Sequence, residues 1–227
     1  MKKRIIYIFS ICMAILTGCT EYDNYDAPQY YLTGKVHYQG TQIGLRNSGV
    51  SFELWQDGYE LNGSISVYLA QDGTFSANLF NGEYKLVRKA DGPWVNQTSD
   101  TLMVTVKGNT QYDVEVLPHF MVSNESYQVN LQNNTITGTF TIDKTVATSN
   151  LSNVRMYIGP QILIDNNYRG SYEKAEVSDV TFGQPLSITM PITDDLIKRG
   201  YLYTRIGVKA SESGEYIYTQ VQKIELK

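Results

Sequence analysis

From residue 31 onward, stretch after stretch of the chain alternates apolar and polar residues. A period of two leaves little room for anything except β-sheet. "LTGKVHY" sets Leu32, Gly34, Val36 and Tyr38 against Thr33, Lys35 and His37, and "GVSFELW" sets Val50, Phe52 and Leu54 against Ser51, Glu53 and Trp55. "SISVYL" and "TFSANLF" flank Gln71-Asp72-Gly73, and an Asp-Gly between alternating runs predicts a hairpin. "GEYKLVRK", "DTLMVTVKG" and "QYDVEVL" complete seven short strands with polar turns, the profile of a β-sandwich. Pro118, followed by His119, removes a ladder donor and marks a boundary. Beyond it "TITGTFTID" alternates Ile136, Gly138, Phe140 and Ile142 with four threonines, one dry face and one wet. "NVRMYIG", "PLSITMPI", "YLYTRIGVKA" and "EYIYTQVQKIEL" continue the pattern. The expected fold is all-β, with two consecutive β-sandwich domains over residues 31–117 and 118–227, each with strands enough for its own core.

The residues before this pattern have another character. Lys2, Lys3 and Arg4 precede an apolar run from Ile5 to Leu16, broken only by Ser10, the proportions of a secretory signal peptide. The run is too short for a stable membrane span, which takes about 20 apolar residues. Leu16-Thr17-Gly18-Cys19 is similar to a bacterial lipobox, which makes residues 1–18 a lipoprotein signal peptide and Cys19 the lipidated first residue of the mature chain. The competing reading is an ordinary signal peptide with an incidental cysteine; n-region, core and lipobox agree on the first. Residues 19–30 then form an acidic tether without hydrophobic period, at most about 40 Å long at ~3.4 Å per residue. Acidic residues directly after the cysteine resemble the signal that sends Bacteroidetes lipoproteins to the outer face of the outer membrane; a merely solvated acidic linker is the alternative. The expected location is the outer membrane, lipid-anchored and facing outward, with contact to the bilayer by lipid alone.

Charge and cysteines narrow the field. The leader holds three of the 19 basic residues and none of the 23 acids, which leaves 16 against 23, or −7. That balance argues against nucleic acid as a partner, since binding it takes clustered Lys and Arg. Cys12 leaves with the leader and Cys19 carries lipid, so no disulfide is expected in the mature chain.

Three resemblances follow from particular residues. "LTGKVHYQGTQI", "GVSFELW" and "DGTFSANLFNGEYKLV" are similar in order and spacing to the prealbumin-like domain of carboxypeptidase-regulatory type, over roughly Tyr31 to Leu117. Gly200-Tyr201-Leu202-Tyr203-Thr204-Arg205-Ile206 resembles the tyrosine corner and following strand of fibronectin-type and Ig-like sandwiches. The apolar parity there runs through Leu202, Ile206 and Val208 and leaves Tyr203 with Arg205, so either Tyr201 is the corner or a bulge shifts the register. Lipobox, acidic tether and both sandwich patterns together resemble a group of two-domain Bacteroidetes lipoproteins of uncharacterised function. Their genes sit beside outer-membrane glycan importers of the starch-utilisation type and the importers' partner lipoproteins. The resemblance implies glycan capture and names no active residue.

Catalytic signals are missing from the sequence. His37 points outward from a strand and His119 lies in the linker, and no metalloprotease, nucleophile-elbow or phosphate-loop motif occurs. Asp194-Asp195, ahead of "LIKRG", reads as the start of a short helical turn. Glycosidase carboxylates can lie far apart in sequence, so a glycosidase is the third reading. "DNNYRGSYEKAE" fits a calcium loop at Asp165, Asn167, Gly170 and Glu176 but puts Arg169 where an oxygen is needed, and a polar turn is preferred. No cofactor or metal is expected.

Aromatics are the better lead. Of 18 tyrosines 17 remain after the leader, beside Trp55 and Trp94. An exposed indole or phenol offers a sugar ring apolar area with a polar rim. Trp94, in the loop "ADGPWVNQTSD", is either a glycan platform or a plug folded into the end of the sandwich. Trp55 and Tyr59 bracket an outer hairpin and either cover a sheet face or meet the other domain; both are secondary glycan candidates. Asp100-Thr101-Leu102 resembles the O-glycosylation acceptor of Bacteroidetes, with a plain strand start as the simpler reading. The functional expectation is a non-catalytic surface lipoprotein that binds polysaccharide or oligosaccharide beside an importer. Its alternative is a docking component of that complex without glycan binding of its own.

Overall fold

The computed structural model describes residues 26–58, 63–90, 92–96, 101–167 and 173–226. Cys19 with most of the tether, Tyr59, Asp100, Arg169 and Gly170 lie outside the described residues, and so do the expectations attached to them. Among the described residues no helix is long and apolar enough to cross a membrane.

The first domain is built from β1 (Tyr30–Tyr38), β2 (Thr41–Gln42), β3 (Ser51–Trp55), β4 (Ile65–Tyr68), β5 (Thr74–Leu79), β6 (Gly82–Arg88), β7 (Thr101–Val106), β8 (Thr110–Gln111) and β9 (Val114–Glu115). One sheet gathers β2, β5, β8 and β9 around β1; the facing sheet has the order β4-β3-β6-β7. The parity read from sequence holds, for Leu32, Val36, Val50, Phe52 and Leu54 are all buried. The Asp-Gly turn is present, with Asp72 Oδ1 accepting from Thr74 N at 3.0 Å and Ala70 N donating to Thr74 O at 2.8 Å. It does not join a hairpin, however. β4 pairs with β3 and β5 pairs with β1, so the turn carries the chain from one sheet to the other. Val67 and Leu69 on one side and Phe75 and Leu79 on the other then face a common core, which a flat hairpin does not permit.

The second domain comprises β10 (Phe120–Asn130), β11 (Thr135–Lys144), β12 (Leu151–Gly159), β13 (Glu173–Val177), β14 (Pro185–Pro191), the six-residue α1 (Asp194–Arg199), β15 (Tyr201–Ala210), β16 (Tyr216–Tyr218) and β17 (Gln222–Glu225). A three-stranded sheet, β10-β11-β14, faces one in which β15 pairs with β12, β16 and β17, and β12 with β13. On β11 the four threonines line the wet face, where Thr137 and Thr189 share a hydroxyl hydrogen bond at 2.8 Å across strands. Asp194 and Asp195 occupy the first turn of α1, where the helix dipole favours them, and Asp195 pairs with Arg199 at 2.8 Å.

The register of β15 answers the tyrosine question. It runs unbroken from Tyr201 to Thr204 against β17 and from Tyr203 to Lys209 against β12, so no bulge intervenes. Tyr201 and Tyr203 share one face and meet edge to face at 5.9 Å. The face they share continues through Arg205, which is buried against the first domain, and Gly207, which lies beside Tyr157 and Tyr218.

That joint is closed by specific bonds. Gly44 and Tyr218 exchange backbone hydrogen bonds of 3.2 and 2.9 Å across the domains. Any larger residue at 44 would push its Cβ to 2.6 Å from the Tyr218 carbonyl. Arg205, fully buried, donates from Nη2 to Leu45 O at 2.8 Å and lies 3.6 Å above the Tyr218 ring. Arg46 and Glu215 form an ion pair, and Gln71 donates to Ile162 O at 2.8 Å. One cluster of buried apolar residues includes Leu32 of the first domain and Leu226 of the second.

Candidate functional site

Trp94 is not a platform. Only 4% of it is exposed; it packs 6.4 Å from the Phe52 ring, with Gly92 pressed against the indole and a backbone bridge to Pro118. Buried to that extent, the indole leaves nothing for a sugar. The plug is the reading that fits. Trp55 is half-buried on the outer face of β3 and donates its indole N–H to Glu53 Oε2 at 3.2 Å, so it lies along that sheet face. The calcium candidates are engaged elsewhere. Asp165 is buried and accepts from Asn167 N at 2.8 Å, and its charge acts on Arg46 and Arg205. Glu176 pairs with Arg155 at 3.0 Å on β13. Among the described residues no cluster of three or more His, Cys, Asp or Glu forms a metal site. Thr101, of the glycosylation candidate, opens β7 opposite Val87.

The open chemistry lies on the first sheet, and β1 creates it. One edge of β1 is paired with β5 and then β2; the other takes β8 at Thr33↔Gln111 and β9 at His37↔Glu115, both parallel. Between β8 and β9 the ladder is interrupted. Tyr112 N still donates to Thr33 O at 2.8 Å, but the next acceptor is a side chain, Asp113 Oδ1, which takes Lys35 N at 3.1 Å. The interruption depends on Gly34, because a Cβ there would stand 2.0 Å from the Tyr112 carbonyl oxygen.

Two open cavities flank this break. The first, about 580 Å³, is lined by Thr33, Lys35, Tyr68, Ser76, Gln111 and Asp113 among others. Tyr68 is 60% exposed at its rim. Among the described residues no hydrogen bond or ion pair engages the Lys35 ammonium, the Tyr68 hydroxyl, the Ser76 hydroxyl or the Gln111 amide. The second cavity, about 610 Å³, is lined by His37, Tyr38, Arg88, Tyr112, Asp113 and Glu115 among others. Arg88 is buried there and donates from Nη1 to Glu115 O at 3.0 Å. Asp113 lines both.

A third, apolar cavity of about 250 Å³ lies where the tether enters, between Pro28, Leu54, Ile65, Leu79, Phe80 and Tyr84. It leaves Ile65 and Phe80 45% and 42% exposed.

The strongest electrostatic perturbations sit elsewhere, in the joint. Burial lowers the Arg205 pKa to about 10, opposed by Tyr218 and Asp165, so the guanidinium stays charged at neutral pH. Burial also pushes the Tyr157 and Tyr218 phenols above their ordinary range. These groups serve the interface, with no cavity beside them among those described above.

Sequence reasoning passed over Tyr68, Lys35, Gln111 and Asp113. A signal for Tyr68 existed: in "SISVYL" it takes the polar parity opposite Ile65, Val67 and Leu69, and an aromatic on a wet face is unusual. The cavity itself had none, since it arises from pairing between residues 78 positions apart.

Comparison with known proteins agrees with the architecture. Residues 30–117 match the family described as "Protein of unknown function (DUF3823) N-terminal domain", and residues 120–223 match "Domain of unknown function (DUF3823_C)". A DUF3823 protein from Bacteroides ovatus is 43% identical with a TM-score of 0.80, covering 88% of this chain and all of its own. One from Parabacteroides merdae is 36% identical with a TM-score of 0.78 and the same coverage. A Bacteroides uniformis protein, whose name proposes carbohydrate binding, shares the fold at 19% identity and a TM-score of 0.70, over 88% of this chain and all of its own. No curated protein matches the chain. The two matched segments abut at the Pro118 joint, and together with the 43% identical relative they show that this two-domain β protein belongs to the DUF3823 family.

Proposed function

We propose that the protein is a non-catalytic, surface-anchored lipoprotein that binds glycan as an accessory to an outer-membrane polysaccharide uptake system. The observation that carries this is the Tyr68 cavity. A phenol ring stands exposed beside an ammonium, an amide and hydroxyls that have no partner within the described protein. A pyranose needs just such a set, with one apolar platform for its C–H face and several donors and acceptors for its hydroxyls. The name of the Bacteroides uniformis protein points the same way. Asp113 and Glu115 are the carboxylates nearest the cavities, but they stand two residues apart in one segment. Each is tied to a backbone amide, Lys35 N at 3.1 Å and Gln39 N at 3.3 Å, an arrangement suited to shaping the sheet and unlike an acid and base opposed across a bond. Lipidation at Cys19 supplies the anchor.

Affinity electrophoresis of the soluble chain beginning after Cys19, through gels containing polysaccharides, tests the reading. Retention by at least one polymer, lost in Tyr68→Ala at unchanged melting temperature, supports it; migration unaffected by every polymer overturns it. The docking reading has an observation of its own, the apolar cavity with exposed Ile65 and Phe80 beside the tether. It predicts that Ile65→Asp with Phe80→Asp abolishes co-purification with the importer while glycan retention persists.

A further inference from the structure

We infer, resting on the glycan reading above, that Lys35 and Asp113 determine which sugar the Tyr68 cavity accepts. They bridge two adjacent hydroxyls of one neutral ring. The floor of the cavity is two rows of side chains on the outer face of the first sheet. Ser76, Thr33 and Gln111 form one row across β5, β1 and β8. Thr74, Lys35 and Asp113 form the next, with Asp113 standing opposite Lys35 between the Thr33↔Gln111 and Val36↔Val114 pairs. Strand spacing makes each row roughly 10 Å long, and two residues of rise set the rows roughly 7 Å apart. These rows offer hydroxyls, an amide and two opposite charges, and the exposed phenol of Tyr68 stands at their rim.

Opposite charges at facing positions of neighbouring strands ordinarily pair. Here they do not. Asp113 turns Oδ1 to the Lys35 backbone N–H at 3.1 Å, a donor that lacks a backbone acceptor at the break between β8 and β9. Among the described residues nothing bonds to Asp113 Oδ2, and no carboxylate pairs with the Lys35 ammonium. A carboxylate only accepts and an ammonium only donates, whereas a sugar hydroxyl does both. One hydroxyl donating to Asp113 Oδ2 and its neighbour accepting from Lys35 Nζ satisfy both charges with an uncharged ligand. Such charge-assisted bonds are stronger than neutral ones. A uronate that reaches Lys35 brings its carboxylate beside Asp113, and an amino sugar that reaches Asp113 brings its ammonium beside Lys35. Each gains one attraction and meets one repulsion.

The test uses the soluble chain beginning after Cys19 in affinity gels. Soluble starch, galactomannan, xyloglucan and arabinoxylan are the neutral probes, polygalacturonate the polyanion and glycol chitosan the polycation. The wild type should be retained by a neutral polymer and by neither charged one. Asp113→Asn keeps the oxygen that accepts from Lys35 N, and Lys35→Met keeps the length of an outward side chain, so both should melt as the wild type does. Each should weaken neutral retention about tenfold or more. Asp113→Asn, which leaves the ammonium uncompensated, should gain retention by polygalacturonate, a change that a merely structural carboxylate does not produce. If Asp113→Asn melts early, Lys35→Met decides by its neutral retention. The double variant should lose little more than either single one, because both bonds hold the same ring. Strictly additive losses overturn the shared pair of hydroxyls. Neutral retention unchanged in both single variants, or a wild type that prefers either charged polymer, overturns the selecting role of Lys35 and Asp113 while the glycan reading stands. Failure of every polymer to retain the wild type brings down the glycan reading and this inference together.

Discussion

The outward-facing residues of β1 and of β15 look alike in sequence and meet opposite fates. On β1, Thr33, Lys35 and His37 line cavities open to solvent. On β15, Tyr203 stays half-exposed, but Arg205 disappears beneath the first domain. Polar parity marks only the side away from a strand's own core. It does not say whether a second domain covers that side. Where one does, a charged residue must be satisfied in place, which is why Arg205 rests on the Tyr218 ring and bonds to Leu45 O.

The largest effect expected on this contrast comes from Trp94. Trp94→Ala empties a site packed against Phe52 and the Pro118 bridge, and it should cost about 3–5 kcal/mol of stability. Urea melts measure the loss; polysaccharide retention per folded molecule should stay the same. A stable variant with lost retention would return Trp94 to the binding face.

Arg205 comes next. Arg205→Ala removes the stack and the bond to Leu45 together, with an expected cost of about 2–4 kcal/mol. Two of the guanidinium nitrogens, Nε and Nη1, have no hydrogen-bond partner among the described residues. Arg205→Met, which keeps the volume and removes that burden, should therefore cost less than half as much. If Met is as damaging as Ala, charge and not packing holds the joint.

The fold was legible in the chain because its evidence is local. Alternation, polar turns and the break at Pro118 locate the strands and two sandwiches, and Ile136, Phe140 and Ile142 face inward as their spacing requires. What escaped was set by contacts remote in sequence. Nothing near Asp72-Gly73 says that its flanking strands part into different sheets. Trp94 was equally compatible with a platform and a plug until Phe52 and Pro118 were placed around it. The Tyr68 cavity needs residues 110–113 brought beside residues 33–35, and no periodicity encodes that approach.

Two glycines turn the comparison into a paired experiment. Gly34→Ala drives a Cβ to 2.0 Å from the Tyr112 carbonyl under the open face, and Gly44→Ala drives one to 2.6 Å from the Tyr218 carbonyl in the joint. Each should cost about 1–3 kcal/mol through forced backbone shifts. Their other consequences should diverge. Gly34→Ala distorts the break between β8 and β9 and should weaken glycan retention; Gly44→Ala should spare retention and increase protease sensitivity at the Pro118 linker. Matching phenotypes would mean that joint and open face are one cooperative unit.

The smallest effect expected is a pH dependence of the joint itself. His119 is buried in the linker, with Nδ1 2.7 Å from Ser149 Oγ. Its backbone is held as well, because Thr145 N donates to His119 O at 3.2 Å and the Thr145 hydroxyl donates to Pro118 O. Burial lowers its pKa below the ordinary 6.5, opposed by the carboxylate of Glu212 and by the backbone of Trp94. The folded state therefore binds fewer protons here than the unfolded chain, in which the imidazole titrates near 6.5. The stabilising contribution is complete above that value and is lost as pH falls through the lower, folded-state pKa. Urea midpoints measured from pH 8 down to pH 5 should decline across this window in the wild type. In His119→Asn, which keeps a polar group opposite Ser149 and cannot take up the proton, the decline should be shallower. Glu212→Gln should steepen the wild-type decline, because removing the carboxylate lowers the folded-state pKa further. Parallel wild-type and His119→Asn profiles would place the titrating group elsewhere and leave the joint indifferent to the protonation of His119.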